Sequence, residues 1–179
     1  MRVIVFDFDD TLYSTSDSTM DVRLPSTMLE TIQKLYSSST YPNTKMYIIS
    51  NATSEWIYTV LNQLFPTQEI LKYFEGIISV RDLNLKEDVS IWKSIAFHKF
   101  LDLWNANELI AFGDSKFDRE ASLNIKKSYP NIRMKNILFL SAPTSSILVD
   151  EHLFIQKNIS WILECNEDLD LTVLYSGVL

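Results

Sequence analysis

Glycine and cysteine are scarce in this sequence, and each scarcity excludes a class of protein. Only three glycines occur in 179 residues, too few for the glycine-rich loops that hold nucleotide phosphates or dinucleotides. The single cysteine, Cys165, cannot form an intrachain disulfide, which is typical of a protein from a reducing compartment. Any phosphate group that this chain binds must therefore be held by something other than a glycine-rich loop.

Long apolar runs and an excess of positive charge are missing as well. No stretch approaches the roughly 18 consecutive apolar residues of a membrane-spanning helix, and the first residues show no signal-peptide pattern. The net charge of −7 disfavours a general nucleic-acid binder, because such binding depends on cationic neutralisation of phosphates. We expect a cytoplasmic protein with no membrane partner, and a local cluster of basic residues at 116–135 leaves a nucleic-acid partner open.

The composition that is present is that of an ordinary globular domain. Apolar residues make up 46% of the chain and charged residues 22%, close to the average for soluble proteins. A length of 179 residues suffices for one core and is short for two. We therefore predict a single domain over residues 1–179.

Five short apolar runs alternate with amphipathic helical patterns along the chain. The runs lie at residues 3–6, 46–49, 76–80, 109–112 and 137–140 and are typical of buried strands. Their alternation with helices predicts an α/β fold: a three-layer, Rossmann-like parallel sheet of about five strands with helices on both faces. One predicted helix carries Trp56, Ile57 and Val60 on its apolar face, and the apolar triplet at 161–163 is interpreted as a further strand.

Polar groups follow the predicted strands, and in a parallel sheet ligands bind just beyond the carboxyl ends of the strands. Taken singly, each group has an ordinary structural explanation as an acidic turn, a helix cap or a solvated lysine. Together they bring two carboxylate clusters, a hydroxyl and an ammonium group to one edge of the sheet. The groups are Asp7 and Asp9, Ser50 and Asn51, a turn after Val80, Asp114 and Asp118, with Lys93 near the start of a helix.

Carboxylates that lie close together repel one another unless a cation is placed between them. Mg²⁺ is a hard cation that takes oxygen ligands and keeps several waters, so it is the cofactor that these residues favour. We expect Asp7 and Asp114 to provide carboxylates, Asp118 to bind directly or through water, and Asp9 to contribute its backbone carbonyl oxygen. These segments contain no histidine or cysteine, which disfavours zinc.

These segments resemble the motifs of the haloacid dehalogenase (HAD) superfamily of aspartyl-phosphate hydrolases. The resemblance covers about residues 2–142 and has four motifs in order. They are Asp7-Phe8-Asp9-Asp10-Thr11-Leu12, Ile48-Ile49-Ser50-Asn51, Lys93, and Gly113-Asp114-Ser115-Lys116-Phe117-Asp118. Lys86 is an alternative third-motif residue, and the placement of Lys93 on a helix and its spacing to the fourth motif favour Lys93.

The resemblance implies a Mg²⁺-dependent phosphatase that hydrolyses a phosphate monoester through an aspartyl-phosphate. Asp7 would be the nucleophile, and Asp9 would protonate the leaving oxygen and later deprotonate water. Ser50 and Lys93 would contact the phosphoryl oxygens, and Thr11 and Asn51 complete the implied substrate-binding set. An acid at the Asp9 position argues for phosphate chemistry, because a carbon–halogen bond needs no protonated leaving group.

Superfamily members often insert a cap domain between these motifs, and this chain has little room for one. Forty residues separate Asp9 from Ser50, and Lys93 follows Ser50 by 43 positions. Predicted helices and strands occupy both gaps, whereas a folded domain needs at least about 50 residues. We expect an uncapped, open site, which favours a large phosphorylated substrate, such as a phosphoprotein or a nucleic-acid end, or closure by another subunit.

Two functions of other classes remain alternatives. A receiver-type phospho-acceptor module also combines acids, a hydroxyl and a lysine on a parallel sheet, although its acceptor aspartate usually follows a middle strand. A regulatory protein that retained the HAD-like fold without turnover is the other alternative. All the motif residues are intact here, so the sequence gives no reason to prefer it.

Overall fold

A computed structural model describes residues 1–38 and 44–174. This part of the chain forms six strands: β1 (Arg2–Phe6), β2 (Thr44–Ser50), β3 (Gly76–Ser79), β4 (Glu108–Gly113), β5 (Arg133–Leu138) and β6 (Leu169–Thr172). It also forms five α-helices: α1 (Leu24–Ser38), α2 (Ser54–Leu64), α3 (Trp92–Trp104), α4 (Lys116–Ser128) and α5 (Ser145–Glu164). Short 3₁₀ turns lie at Leu71–Tyr73, Arg81–Leu83 and Val89–Ile91.

The strands form one fully parallel sheet in the order β3-β2-β1-β4-β5-β6. From β1 the chain first adds β2 and β3 on one side of β1. It then crosses to the other side, where it adds β4, β5 and β6. Ligands of such sheets bind in the crevice at this switch point, outside the carboxyl ends of the strands. Here the crevice lies beyond the ends of β1 and β4, which are the strands that precede Asp7 and Asp114.

Helices cover both faces of the sheet, as β1 shows most clearly. Successive side chains of a strand point to opposite faces. Ile4 and Phe6 pack with buried residues of α1, α2 and α5, whereas Val3 and Val5 pack with buried residues of α3 and α4. The predicted three-layer, parallel α/β fold is therefore confirmed, with one more strand than the five apolar runs indicated.

The tail of the chain differs from its prediction. The triplet 161–163 was interpreted as a strand, but it lies in the last turns of α5. Three consecutive apolar residues fit a buried strand or a buried helix equally well, and here Leu148, Ile155, Ile159 and Ile162 continue one buried helical face. The extra strand is β6, which pairs with β5. In the described ranges, no helix has both the length and the apolar character needed to span a membrane.

A buried ionic cluster closes the amino end of the sheet, opposite the predicted site. Glu108 on β4 accepts from Arg2 on β1 at 2.5 Å and pairs with Lys135 on β5 at 2.7 Å. Arg2 also donates to the carbonyl oxygen of Leu163, and Lys135 to that of Ile162, both at 2.6 Å. Because these carbonyls lie at the carboxyl end of α5, where intrahelical partners are lacking, the cluster fixes this helix against three strands.

Candidate active site

Three carboxylates meet beyond the ends of β1 and β4. Asp7 follows β1 directly, and its backbone N–H donates to the carbonyl oxygen of Phe112 on β4 at 2.9 Å. Asp114 follows β4, and Asp118 lies in the first turn of α4. One carboxylate oxygen from each of the three lies within 4.8 Å of the others. The parallel sheet thus brings together side chains that are more than one hundred residues apart in the sequence.

Lys93 supplies a positive charge to this carboxylate cluster. It projects from the first turn of α3 and is almost completely buried, at 2% exposure. Its Nζ lies 2.8 Å from Oδ1 of Asp7 and forms a second ion pair with Asp118. Lys86, the alternative third-motif residue, is exposed. The geometry therefore associates Lys93, rather than Lys86, with the carboxylates.

Burial and mutual repulsion shift the ionisation of the cluster. Burial raises the pKa of Asp7 to about 6, with Lys93 acting against the shift and Asp118 adding to it. Burial, together with Asp7 and Asp118, raises the pKa of Asp114 to about 7. Burial disfavours the charge on Lys93, but its ion pairs with Asp118 and Asp7 outweigh that effect and raise its pKa. The raised pKa values show that the ionised forms of Asp7 and Asp114 are disfavoured where Lys93 supplies the positive charge of the cluster.

These residues fit a divalent cation bound through oxygen. The three carboxylates converge from two strand ends and one helix, and carboxylate oxygens are the ligands that Mg²⁺ prefers. A cation with two positive charges would favour the ionised forms of Asp7 and Asp114, whose pKa values are raised. The predicted ligand role of Asp9 concerns its backbone carbonyl oxygen and stays a prediction, since the three-carboxylate cluster involves only the other aspartates.

Asp118 is held in place by the residues that begin α4. Ser115 is the N-cap, and its hydroxyl and backbone N–H both donate to Oδ2 of Asp118, the second at 3.1 Å. These contacts are part of a capping box, which satisfies free N–H groups at the start of the helix. Gly113 makes room for it, because a Cβ at this position would lie 2.3 Å from Cγ of Asp118. The position of Asp118 therefore requires a residue without a side chain at Gly113.

Replacing Gly113 with alanine is expected to displace Asp118. Such overpacking costs about 1–3 kcal/mol of stability, and the displaced carboxylate should weaken Mg²⁺ binding. Gly76→Ala is the matched control, because the nearest side-chain atom to its new Cβ is Cδ1 of Tyr47 at 3.7 Å, an ordinary contact. Thermal unfolding and Mg²⁺ titration of both variants test this. Equal stability and equal Mg²⁺ affinity of the two variants would show that the position of Asp118 does not require a glycine at 113.

The other predicted site residues lie in different environments. Ser50 ends β2 and is 1% exposed, and its side chain acts to lower the pKa of the Asp7 carboxyl. Asn51 lies beside it, with its side-chain carbonyl oxygen buried and without a protein partner in the described residues. Thr11, predicted to contact the substrate, is completely buried. Its hydroxyl oxygen is buried without a hydrogen-bond partner among the described residues, and its carbonyl oxygen accepts from His152 at 3.1 Å. Its contact with substrate stays a prediction.

Asp9 is not one of the three clustered carboxylates, and it lines a cavity. The cavity has a volume of about 250 Å³, and its lining includes Asp9, Thr15, Asn51, Trp56 and Arg81. One oxygen of Asp9, Oδ1, accepts from the hydroxyl of Thr15 at 2.5 Å and from the indole N–H of Trp56 at 3.1 Å. Asp7 and Asp9 are thus two residues apart but have different surroundings, and only Asp7 belongs to the cluster.

Sequence analysis missed three of the residues around this cavity. The helical pattern places Trp56 on the buried face of α2, but it is 39% exposed, because it lies at the edge of the face that Ile57, Val60 and Leu61 bury. Thr15 lies in a polar loop that gave no specific signal. Arg81 begins the 3₁₀ turn after β3, and the expected turn after Val80 was the only indication of it.

Known proteins with a detectable similarity to this chain are few and distant. No protein-family model matches the sequence, and no curated protein matches it. Among solved structures, the chain is similar to yhjK from Bacillus subtilis, described as a haloacid dehalogenase-like hydrolase protein, with 13% identity and a TM-score of 0.49. The match covers 88% of this chain and 90% of that chain. So distant a likeness supports no functional argument, and the following proposal depends on the residues themselves.

Proposed function

We propose that this chain is a HAD-like phosphatase that hydrolyses a phosphate monoester with Mg²⁺ and through a phosphorylated Asp7. The observation that carries the proposal is the approach of the Asp7, Asp114 and Asp118 carboxylates to within 4.8 Å, with Nζ of Lys93 2.8 Å from Asp7. The four sequence motifs contribute these residues in the order that the resemblance requires.

In the first step, a carboxylate oxygen of Asp7 attacks phosphorus in line with the leaving oxygen. The ester P–O bond breaks as the new bond to Asp7 forms, and Asp9 gives its proton to the leaving oxygen. Lys93 and the Ser50 hydroxyl stabilise negative charge on the phosphoryl oxygens. Asp7, Asp114 and Asp118 would hold Mg²⁺, which would supply further positive charge. Positioning and electrostatics account for most catalysis of phosphoryl transfer.

In the second step, Asp9 acts in the opposite direction. Its carboxylate, now without the proton, takes a proton from a water molecule that attacks phosphorus. The bond between phosphorus and Asp7 breaks, inorganic phosphate leaves, and both aspartates return to their starting states. The absence of Asp9 from the three-carboxylate cluster and its place in the lining of a cavity support this division of roles.

We also propose that the chain is one domain without a cap and that its site is open to a phosphorylated macromolecule. Within the described residues, α1 is the α-helix between β1 and β2, and α2 the one between β2 and β3. Neither segment has the size of an independent domain. The single cysteine is consistent with function in the cytoplasm.

Turnover of a nitrophenyl phosphate by the purified chain tests this proposal. We expect continuous phosphate release with Mg²⁺, loss of release in EDTA, and recovery when Mg²⁺ is restored in excess. Full activity in EDTA would contradict the metal assignment. One phosphate incorporated per chain, without further release, would indicate the receiver-type alternative, and neither labelling nor release would indicate a non-catalytic protein.

A further inference from the structure

The carboxylate of Asp9 is held by two donors from separate parts of the chain. The hydroxyl of Thr15 donates to Oδ1 at 2.5 Å, and the indole N–H of Trp56 donates to the same atom at 3.1 Å. Trp56 lies in the first turn of α2, and Thr15 lies in the loop that precedes α1. The contact with Trp56 therefore joins residues far apart in the sequence, whereas Thr15 is six residues from Asp9.

Both donors are attached to anchored segments. The backbone N–H of Trp56 donates to the hydroxyl of Thr53, the N-cap of α2, at 3.2 Å. The loop that contains Thr15 is tied to the region that begins α5: Ser14 donates to the carbonyl oxygen of Pro143, and the backbone N–H of Ser145 donates to Asp17, both at 2.8 Å. The two donors can thus restrict the rotation of the Asp9 side chain.

The chemistry of the two donors also distinguishes the two carboxylate oxygens. An indole N–H can only donate a hydrogen bond, so Oδ1 must accept while the contact with Trp56 exists. Because two donors already contact Oδ1, a proton on the neutral Asp9 carboxyl is favoured on the other oxygen, Oδ2. A general acid is effective only when its proton lies within hydrogen-bond reach of the leaving oxygen, so selecting one oxygen has a direct catalytic consequence.

We propose that Trp56 and Thr15 are positioning residues that hold Oδ1 of Asp9 and thereby present Oδ2 to the leaving oxygen of the substrate. This inference rests on the proposed function, since it assigns Asp9 the role of general acid and base. It also assigns the 250 Å³ cavity beside Asp9 to the leaving group of the substrate. The indole of Trp56 then acts both as a wall of this cavity and as a donor to the acid.

The test uses two substrates that differ in their need for an acid. Dinitrophenyl phosphate releases a stable phenolate and needs little protonation, whereas glycerol phosphate releases a basic alkoxide and needs a proton from Asp9. Trp56→Phe retains an aromatic ring but removes the donor. We expect the single-turnover rate of leaving-group release, which reports the first step alone, to fall roughly tenfold for glycerol phosphate, the size of effect expected for one hydrogen bond, with a much smaller loss for dinitrophenyl phosphate and little change in either KM.

Matched variants separate positioning from packing. Thr15→Val removes the hydroxyl and should show the same substrate-selective loss, whereas Thr15→Ser keeps the donor and should recover most of the activity. Trp161→Phe is the control, since Trp161 is 51% exposed on α5. In addition, the indole N–H resonance of Trp56 should move in Asp9→Ala, while that of Trp161 should stay in place.

The outcomes of these measurements lead to different conclusions. A loss that is equal for the two substrates, a change in KM alone, or an unchanged Trp56 indole resonance in Asp9→Ala would overturn the positioning role and leave the phosphatase proposal intact. Absence of turnover of either substrate by the unmodified chain would overturn the proposed function and this inference with it. A selective loss with glycerol phosphate, recovered in Thr15→Ser, supports the inference.

Discussion

Replacing Asp7 with asparagine is expected to reduce phosphate release by at least about 10³-fold, because the neutral amide lacks the charged oxygen that attacks phosphorus. The variant should fold well, since it keeps the size of the side chain. It also removes a carboxylate whose ionisation is disfavoured by burial, as its pKa of about 6 indicates. Rates of phosphate release and thermal unfolding of the same preparation separate lost chemistry from lost structure.

Asp9→Asn is expected to separate the two steps of the reaction. It retains the nucleophile but loses the group that activates water in the second step. With a substrate that has a good leaving group, the phosphorylated chain should therefore accumulate in Asp9→Asn and be absent from Asp7→Asn. Mass spectrometry after acid quenching detects this adduct. Turnover by Asp7→Asn within tenfold of the unmodified chain would place the nucleophile elsewhere or indicate direct attack by water.

Lys93→Met is expected to have the second largest effect, on stability as well as activity. The substitution leaves Asp7 and Asp118 without the ammonium group that contacts both. Removing one partner of a buried ion pair typically costs about 3–5 kcal/mol. Phosphate release should also fall by roughly 10²–10³-fold, because Lys93 offsets charge in the transition state. Thermal unfolding in EDTA and a phosphatase assay in Mg²⁺ measure the two effects.

Addition of Mg²⁺ should restore part of the stability lost in Lys93→Met, because a cation that binds only the folded chain stabilises it. Lys86→Met is the matched control on an exposed lysine and should behave like the unmodified chain. If Lys86→Met lost activity and Lys93→Met retained it, the assignment of the third motif would be wrong. A Lys93→Met variant as stable as the unmodified chain in EDTA would show that the ion pairs contribute little.

Recognising the strands in the sequence was enough to predict both the fold and the approximate location of the site. Parallel strands share one carboxyl edge, so Asp7 and Asp114 could be expected to meet once the strands before them were recognised. The alternation of apolar runs and helical patterns was sufficient to identify most strands. It failed for residues 161–163, because a triplet contains less than one helical turn and has no periodicity of its own.

The finer features of the site required coordinates. A helical periodicity places Trp56 near the face of Ile57 and Val60, but it does not reveal how wide the buried part of that face is. The close approach of Gly113 to Asp118 depends on the packing of α4 against β4, which no local pattern describes. The different surroundings of Asp7 and Asp9 arise from contacts with Lys93 on one side and with Trp56 on the other, both far away in the sequence.

Calorimetric titration with Mg²⁺ tests most directly whether Asp7, Asp114 and Asp118 share one divalent cation. We expect the unmodified chain to bind one Mg²⁺ and Asp114→Asn to bind it at least about tenfold more weakly, since it loses a charged oxygen ligand. Glu120→Gln, which neutralises an exposed carboxylate on α4, should bind like the unmodified chain. Equal affinity of Asp114→Asn and the unmodified chain would contradict the shared site.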